Sequence, residues 1–382
     1  MGLDQQEPKQ IIALCMIVKD ESKVIERALG SVSGFVDKYF ICDTGSSDNT
    51  IEVIENYFKE HNLAGEVHSR PWVNFSHNRQ ESFDLAKGKC DYIMTLDADE
   101  VFALYQGDVP ILSRRVTHLP TFFADRIETK TVFGGVVYNR GQFFKESIDW
   151  KWSWPVHEVC GSIDEKSSQI IENACVYPLT DGARSRDPNR YIRDALVFES
   201  WLLDHPNDTR AWFYLAQSYR DGGQSKKSIS PLIKCLELSG WDEEIFLCHL
   251  RLARYKLESG ESFESVIHHY LDAQNYRPTR AEPLYDMLNY YRAQKKYNLG
   301  VLIGEKAASL PFPRDDRLFV EGAVYTWRAK DDLAVCYYWV GRYQEGYDLG
   351  LELLNSPHLP QTEKERVERN VQYCKEKLDE EN

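Results

Sequence analysis

Apolar runs and helical periodicities alternate through the first hundred residues. Residues 11–18, 39–42 and 92–96 are short, continuous apolar stretches rich in β-branched and aromatic side chains, which predicts buried strands. Residues 66–68 offer a shorter strand. Between them, Val24, Ile25, Ala28 and Leu29 recur at helical spacing, as do Ile51, Ile54 and Phe58, and residues 76–86 form a third helical stretch. Ser47 or Asp48 is placed to cap the second helix. Fully apolar strands alternating with helices predict a parallel sheet covered on both faces. Each strand ends in acidic or small polar residues, so Asp20, Asp43, Asp97 and Asp99 are expected to gather along one edge. Open α/β sheets bind ligands at that edge.

The second half has a different period. From about residue 187 the chain reads as helix pairs broken at Gly222-Gly223, Gly260 and Pro278. Trp212, Leu215, Ala216 and Tyr219 match the first helix of a tetratricopeptide repeat. Tyr219, Tyr255 and Tyr291 recur every 36 residues, with small residues later in the units at Ser228, Cys235, Gly300 and Ala307. A loop with Pro311, Pro313 and Phe319 precedes a further unit at Leu333, Ala334 and Tyr337, and a charged helix over 363–382 closes the series. The expectation is a two-domain chain: an α/β domain over residues 1–185, then an all-α solenoid of four or five degenerate repeats over 186–382.

Composition limits the function classes. The net charge of −14 disfavours nucleic acid as a partner and an electrostatic grip on anionic lipid. No stretch is apolar for long enough to span a bilayer, and residues 1–10 are polar, unlike a signal peptide. Nine scattered cysteines, an odd number without paired spacing, point to reduced thiols and a cytoplasmic setting.

The sharpest chemical feature is Leu96-Asp97-Ala98-Asp99-Glu100, three carboxylates in four positions at the end of an apolar run. Like charges so close repel unless a cation lies among them, and hard oxygen ligands suit Mg²⁺ or Mn²⁺. No Gly-x-Gly-x-x-Gly follows the first strand and no Gly-Lys-Ser/Thr loop occurs, which disfavours ordinary dinucleotide and P-loop enzymes. Without such a loop, a bound diphosphate needs a metal to neutralise it.

Three segments in order, Met16-Ile17-Val18-Lys19-Asp20-Glu21, Asp43-Thr44-Gly45-Ser46-Ser47-Asp48-Asn49-Thr50 and Leu96-Asp97-Ala98-Asp99-Glu100, resemble the successive signatures of family 2 glycosyltransferases of the GT-A fold, a Rossmann-like nucleotide-diphospho-sugar transferase domain. The resemblance covers roughly the first 180 residues. The stretch from Arg70 to Arg79, the Trp-rich segment ending in His157-Glu158, and Asp181 to Pro188 resemble a subgroup with helical repeats behind the catalytic domain.

The resemblance implies a soluble, metal-dependent, inverting transfer of sugar from a nucleotide-diphosphate donor, UDP-sugar being the expected carrier, to a hydroxyl of a glycan or protein. It implies that Asp43 lies near the nucleobase or ribose, that Asp97 and Asp99 hold ribose and a divalent metal with Asp99 as direct ligand, and that His157 joins that metal. Asp20 and Glu21 belong to the same donor-binding edge. Thr44 departs from the usual Asp-Asp-Gly-Ser signature, so any base contact from that position is in question.

Other roles follow from chemistry alone. A general base must accept the acceptor hydroxyl's proton; Glu158 is the first choice, with Glu100 and Asp149 as alternatives. Asn78 and Arg79 open a helix, where they either reach the nucleotide or cap and solvate the helix. Arg184 and Arg186 have the chemistry to clamp a diphosphate, but a solvated role is preferred. Trp150, Trp152 and Trp154 alternate, so an extended segment puts them on one face, against an acceptor sugar or against the sheet. The repeats suit a buttress, a protein or glycan partner, or self-association. The rival classes are a repeat-scaffold adaptor with a weak catalytic domain and, less well supported, a sugar nucleotidyltransferase, which normally opens with the glycine-rich basic loop missing here.

Overall fold

The computed structural model describes residues 9–106, 109–133 and 136–381; residues 1–8 of the polar amino-terminal stretch and Asn382 of the final helix lie outside them. The chain divides into two compact units, Met1–Asp204 and His205–Asn382.

The first unit opens as an α/β alternation: β1 (Ile12–Val18), α1 (Ile25–Val32), β2 (Lys38–Asp43), α2 (Thr50–Glu60), β3 (Ala64–Ser69), α3 (Phe75–Ala86) and β4 (Tyr92–Thr95). β5 (Glu100–Gln106), β6 (Val109–Ile111), β7 (Arg126–Phe133), β8 (Val136–Lys145), β9 (Lys151–Ser153), β10 (Val159–Gly161), β11 (Ser168–Pro178) and α4 (Arg190–Asp204) complete it. Nine strands form one sheet in the order β3-β2-β1-β4-β8-β7-β11-β5-β6, and β9 pairs with β10.

β3, β2, β1 and β4 are parallel neighbours. Successive residues of a strand face opposite ways, and both faces are filled. Leu14, Met16, Tyr39, Ile41 and Met94 pack with Ile25, Leu29, Ile54 and Phe58 of α1 and α2. Ala13, Cys15, Phe40 and Ile93 pack with Phe83 and Ala86 of α3.

The expected parallel sheet spans β3 to β4, and beyond β4 the sheet becomes mixed. β8 runs antiparallel to β4 and β7, and β5 runs antiparallel to β11 and β6; only the β7–β11 pair is parallel. The reason is visible in β7, where buried and partly exposed positions alternate, so it carries no continuous apolar run. The expected cap of α2 is also corrected. Asn49 holds the cap position and its side chain makes no capping bond, whereas Asp48 Oδ1 accepts from the Thr50 amide at 3.0 Å.

The second unit is helical. Four antiparallel pairs follow one another: α5 (Thr209–Asp221) with α6 (Ser225–Leu238), α7 (Asp242–Glu258) with α8 (Phe263–Tyr276), α9 (Glu282–Ala293) with α10 (Tyr297–Ser309), and α11 (Ala329–Trp339) with α12 (Tyr343–Leu354). α13 (Gln361–Glu381) packs on α12 and ends the described series. The small residues of the repeat do what close helix packing requires. Ser228, Cys235 and Ala307 are buried, and a Cβ on Gly300 would stand 2.6 Å from Cys336 Sγ. All nine cysteines are free thiols. No described helix is long and apolar enough to cross a membrane.

Candidate active site

Parallel pairing places the carboxyl ends of β2, β1 and β4 side by side, with Val18 opposite Asp43 and Cys15 opposite Thr95. The loops leaving these strands carry the acids, and each acid has a different set of partners.

Asp43, buried, accepts from the Gly45 and Ser46 amides at 3.1 Å and so fixes the turn after β2. Thr44 donates its hydroxyl to Val18 O at 3.0 Å, which ties the unusual signature residue to β1. Asp20, at φ +57°, accepts from the Ser47 and Asp48 amides at 2.6 and 3.2 Å. Those bonds hold its carboxyl below the usual range and lock the β1 and β2 loops together. Asn78 is fully buried; its Oδ1 accepts from Val73 N and its Nδ2 donates to Pro71 O and Glu81 Oε2, so its amide shapes the loop before α3.

Arg79 is the electrostatic centre. Its Nη2 donates to Asp97 Oδ1 at 2.6 Å, its Nε to Glu158 Oε1 at 2.5 Å, and its guanidinium lies 5.3 Å from the centroid of the Trp152 ring. Glu100 is held in the same manner: Arg140 grips both its oxygens at 2.8 Å, and Glu100 Oε2 accepts from the Asp97 amide at 3.0 Å. Burial raises the Asp97 carboxyl, but the cations of Arg79 and Arg140 outweigh it and hold Asp97 low.

Asp99 differs. No ion pair among the described residues reaches it, and burial with the charges of Asp97 and Glu100 pushes its carboxyl up. Glu21 lies in the same field. Its carboxylate accepts from the Ala183 amide at 3.0 Å, yet burial, helped by Asp99, lifts it to about 7. Gly182 covers Asp99 closely, and a Cβ there would stand 2.7 Å from Asp99 Oδ2. The edge therefore holds two carboxyls short of positive charge.

The other expected residues lie apart from this pair or in the core. The His157 ring, at φ +53°, stacks on Phe198 of α4 with centroids 6.2 Å apart. The ligand atoms of Asp97, Asp99 and His157 do not converge within 4.8 Å of one another. Trp150 is buried against Phe144 and donates its indole N–H to Lys145 O at 2.9 Å, and Trp152 packs on Phe83. Trp154, at φ +69°, lies just past the end of β9. Arg184 grips Asp194 through both its carboxylate oxygens at 2.6 and 2.7 Å. Asp149 is exposed beside Lys151 at 3.0 Å. Sequence reasoning missed Arg140, which no local signal marks; Gly182 lies in the Asp181 to Pro188 segment but was given no role of its own.

A mixed α/β sheet with carboxylates at the ends of its parallel strands puts them where open α/β sheets bind ligands. Residues 13–106 match the model of "Glycosyl transferase family 2", so the chain carries a family 2 glycosyltransferase domain. A TPR repeat-containing protein of Synechococcus elongatus is 28% identical over 213 residues, 52% of this chain and 49% of that protein. An uncharacterized glycosyltransferase of Rickettsia bellii is 34% identical over 89 residues, 23% of this chain and 28% of its own length. The chain thus spans half or less of these relatives. Among solved structures, S. aureus TarS 1-349 in complex with UDP-GlcNAc shares 12% identity at a TM-score of 0.38, covering 70% of this chain and 92% of that one. A likeness at that level carries no argument about the site.

Proposed function

We propose that this protein transfers a sugar, with inversion, from a nucleotide-diphosphate donor, UDP-sugar being the expected carrier, to a hydroxyl of a glycan or protein. The observation that carries the reading is the uncompensated Asp99 at the end of β4, beside an Asp97 already neutralised by Arg79. A divalent metal, Mn²⁺ or Mg²⁺, fits there in the mode that uses one or two carboxylates with the remaining ligands from phosphate and water. Asp99 would hold it, with Asp97 adjacent and His157 as the third expected ligand, although the ligand atoms of the three do not all lie within 4.8 Å of one another. When bound, the metal supplies positive charge opposite the leaving diphosphate.

The chain's own residues do the rest. Arg79 fixes Asp97 and Glu158 in one rigid row, which orients both toward the donor edge. Asp20 and Asp43 hold the loops that line the nucleotide side. Glu158 is the base we assign to the acceptor proton; the second reading is Glu21, whose carboxyl at about 7 suits proton transfer near neutrality. The helical repeats are assigned to binding the acceptor or a protein partner.

Metal-dependent hydrolysis of a panel of nucleotide sugars tests the reading. One donor hydrolysed only with Mn²⁺ or Mg²⁺ is the expected result, and no hydrolysis of any donor by the folded chain would favour a scaffold. Glu158→Gln should retain donor binding and lose transfer; full transfer by that variant moves the base to Glu21.

A further inference from the structure

The helical unit holds a second constellation unrelated to the donor edge. On α7 and α8, His249, His269 and Asp272 offer one ligand atom each, all within 4.8 Å of one another, the only such set among the described residues. His249 Nδ1 and His269 Nδ1 face each other at 3.2 Å, and Asp272 Oδ2 lies 3.9 Å from His249 Nδ1. His269 and Asp272 are three residues apart on α8, which puts them on one face of that helix.

We propose that these three side chains form a zinc-type metal site that staples α7 to α8. Two imidazole nitrogens bound to one tetrahedral metal at about 2.0–2.1 Å stand about 3.3 Å apart, close to the spacing found here. Imidazole is the preferred partner of Zn²⁺, and a single carboxylate completes a neutralising set with a fourth position left for water.

The surroundings agree with this role. Tyr276 stacks on the His249 ring at 5.8 Å, and His268 crowds the His269 ring at 4.0 Å, so both ligand rings are fixed in orientation. The competing account is a plain hydrogen bond between two neutral imidazoles, one donating to the other.

Titration of the metal-free full chain with ZnCl₂, by calorimetry and by melting temperature, separates the two. The proposal expects a micromolar or tighter zinc site and a zinc-dependent rise in melting temperature. His269→Ala should weaken that site at least tenfold and abolish the rise. Asp272→Asn, at a half-exposed side chain, should weaken zinc binding while leaving the metal-free melting temperature unchanged. With Co²⁺ in place of Zn²⁺, the native chain should show the intense visible bands of a tetrahedral ion and His269→Ala should not. Zinc binding of equal affinity and stoichiometry in the native chain, His269→Ala and Asp272→Asn would overturn the site. Absence of binding to the native chain below millimolar zinc would leave the histidine pair as a hydrogen bond.

Discussion

Both units bury charge, but they complete it differently. In the helical unit Arg280 is fully buried and every direction of its guanidinium is met. Glu282 lies at 2.7 Å, Asp316 at 3.3 Å, and the carbonyls of Leu318 and Phe319 at 3.1 and 3.2 Å. Glu282 in turn accepts from the Tyr325 hydroxyl at 2.7 Å and the Glu321 amide at 3.1 Å. At the donor edge Arg79 and Arg140 satisfy Asp97, Glu158 and Glu100, whereas Arg27 and Arg186 act on Asp99 and Glu21 only at longer range, without an ion pair among the described residues. Burial and the charges of Asp97 and Glu100 raise Asp99's cost of ionisation, and burial with the charge of Asp99 raises Glu21's. A closed network holds a fold together; an open one stores an unmet demand for positive charge that a ligand can supply.

The comparison breaks most readily at Asp99. Asp99→Asn should reduce donor-dependent turnover by about 10³-fold or more, the scale of losing a principal electrostatic contact to the leaving group. The same change should leave the melting temperature equal or higher, because it removes a charge that its neighbours oppose. A loss of activity accompanied by unfolding would make Asp99 a structural residue.

Arg280→Met should do the reverse, lowering stability by about 3–5 kcal/mol in urea denaturation because Glu282 remains buried without its cation, while Asp316 keeps Arg277. A loss below about 1 kcal/mol would mean that the network is not closed in the sense described.

Gly182→Ala sharpens the account on a smaller scale. Its Cβ would meet Asp99 Oδ2 at 2.7 Å and Asp99 Cβ at 3.0 Å, so the carboxylate must shift. Turnover should fall roughly 10- to 100-fold with the fold intact; unchanged kinetics would show that the position of Asp99 is not critical.

The smallest effect concerns Glu21. Its folded-state carboxyl, at about 7 against an ordinary 4.5, keeps its proton where the unfolded chain has released it. Without metal, stability should therefore fall as pH rises from about 4.5 to about 7. Urea midpoints across that window should fall less in Glu21→Gln; identical slopes would contradict the assignment.

The sequence made β1, β2 and β4 legible because each is buried on both faces and so reads as an unbroken apolar run; β3, at the sheet edge and only partly buried, left a weaker signal. β7 stayed hidden because one side of its alternation is only half-buried, and β8 because its pairing with β4 and β7 joins distant chain segments. The acids of the site were readable as motifs. Their division of labour was not, since Arg79 meets Glu158 across 79 positions and Arg140 meets Glu100 across 40. The tyrosine spacing, by contrast, marked the repeats directly, because each repeat packs on the next through local contacts.

The central claim is that Asp99 is the open carboxylate a metal and diphosphate complete. Calorimetric titration of UDP into the full chain, with and without Mn²⁺, for the native protein and Asp99→Asn, tests it most directly. The account predicts UDP binding that requires Mn²⁺ in the native chain and disappears in the variant. UDP binding of equal strength without metal, or in Asp99→Asn, would contradict it.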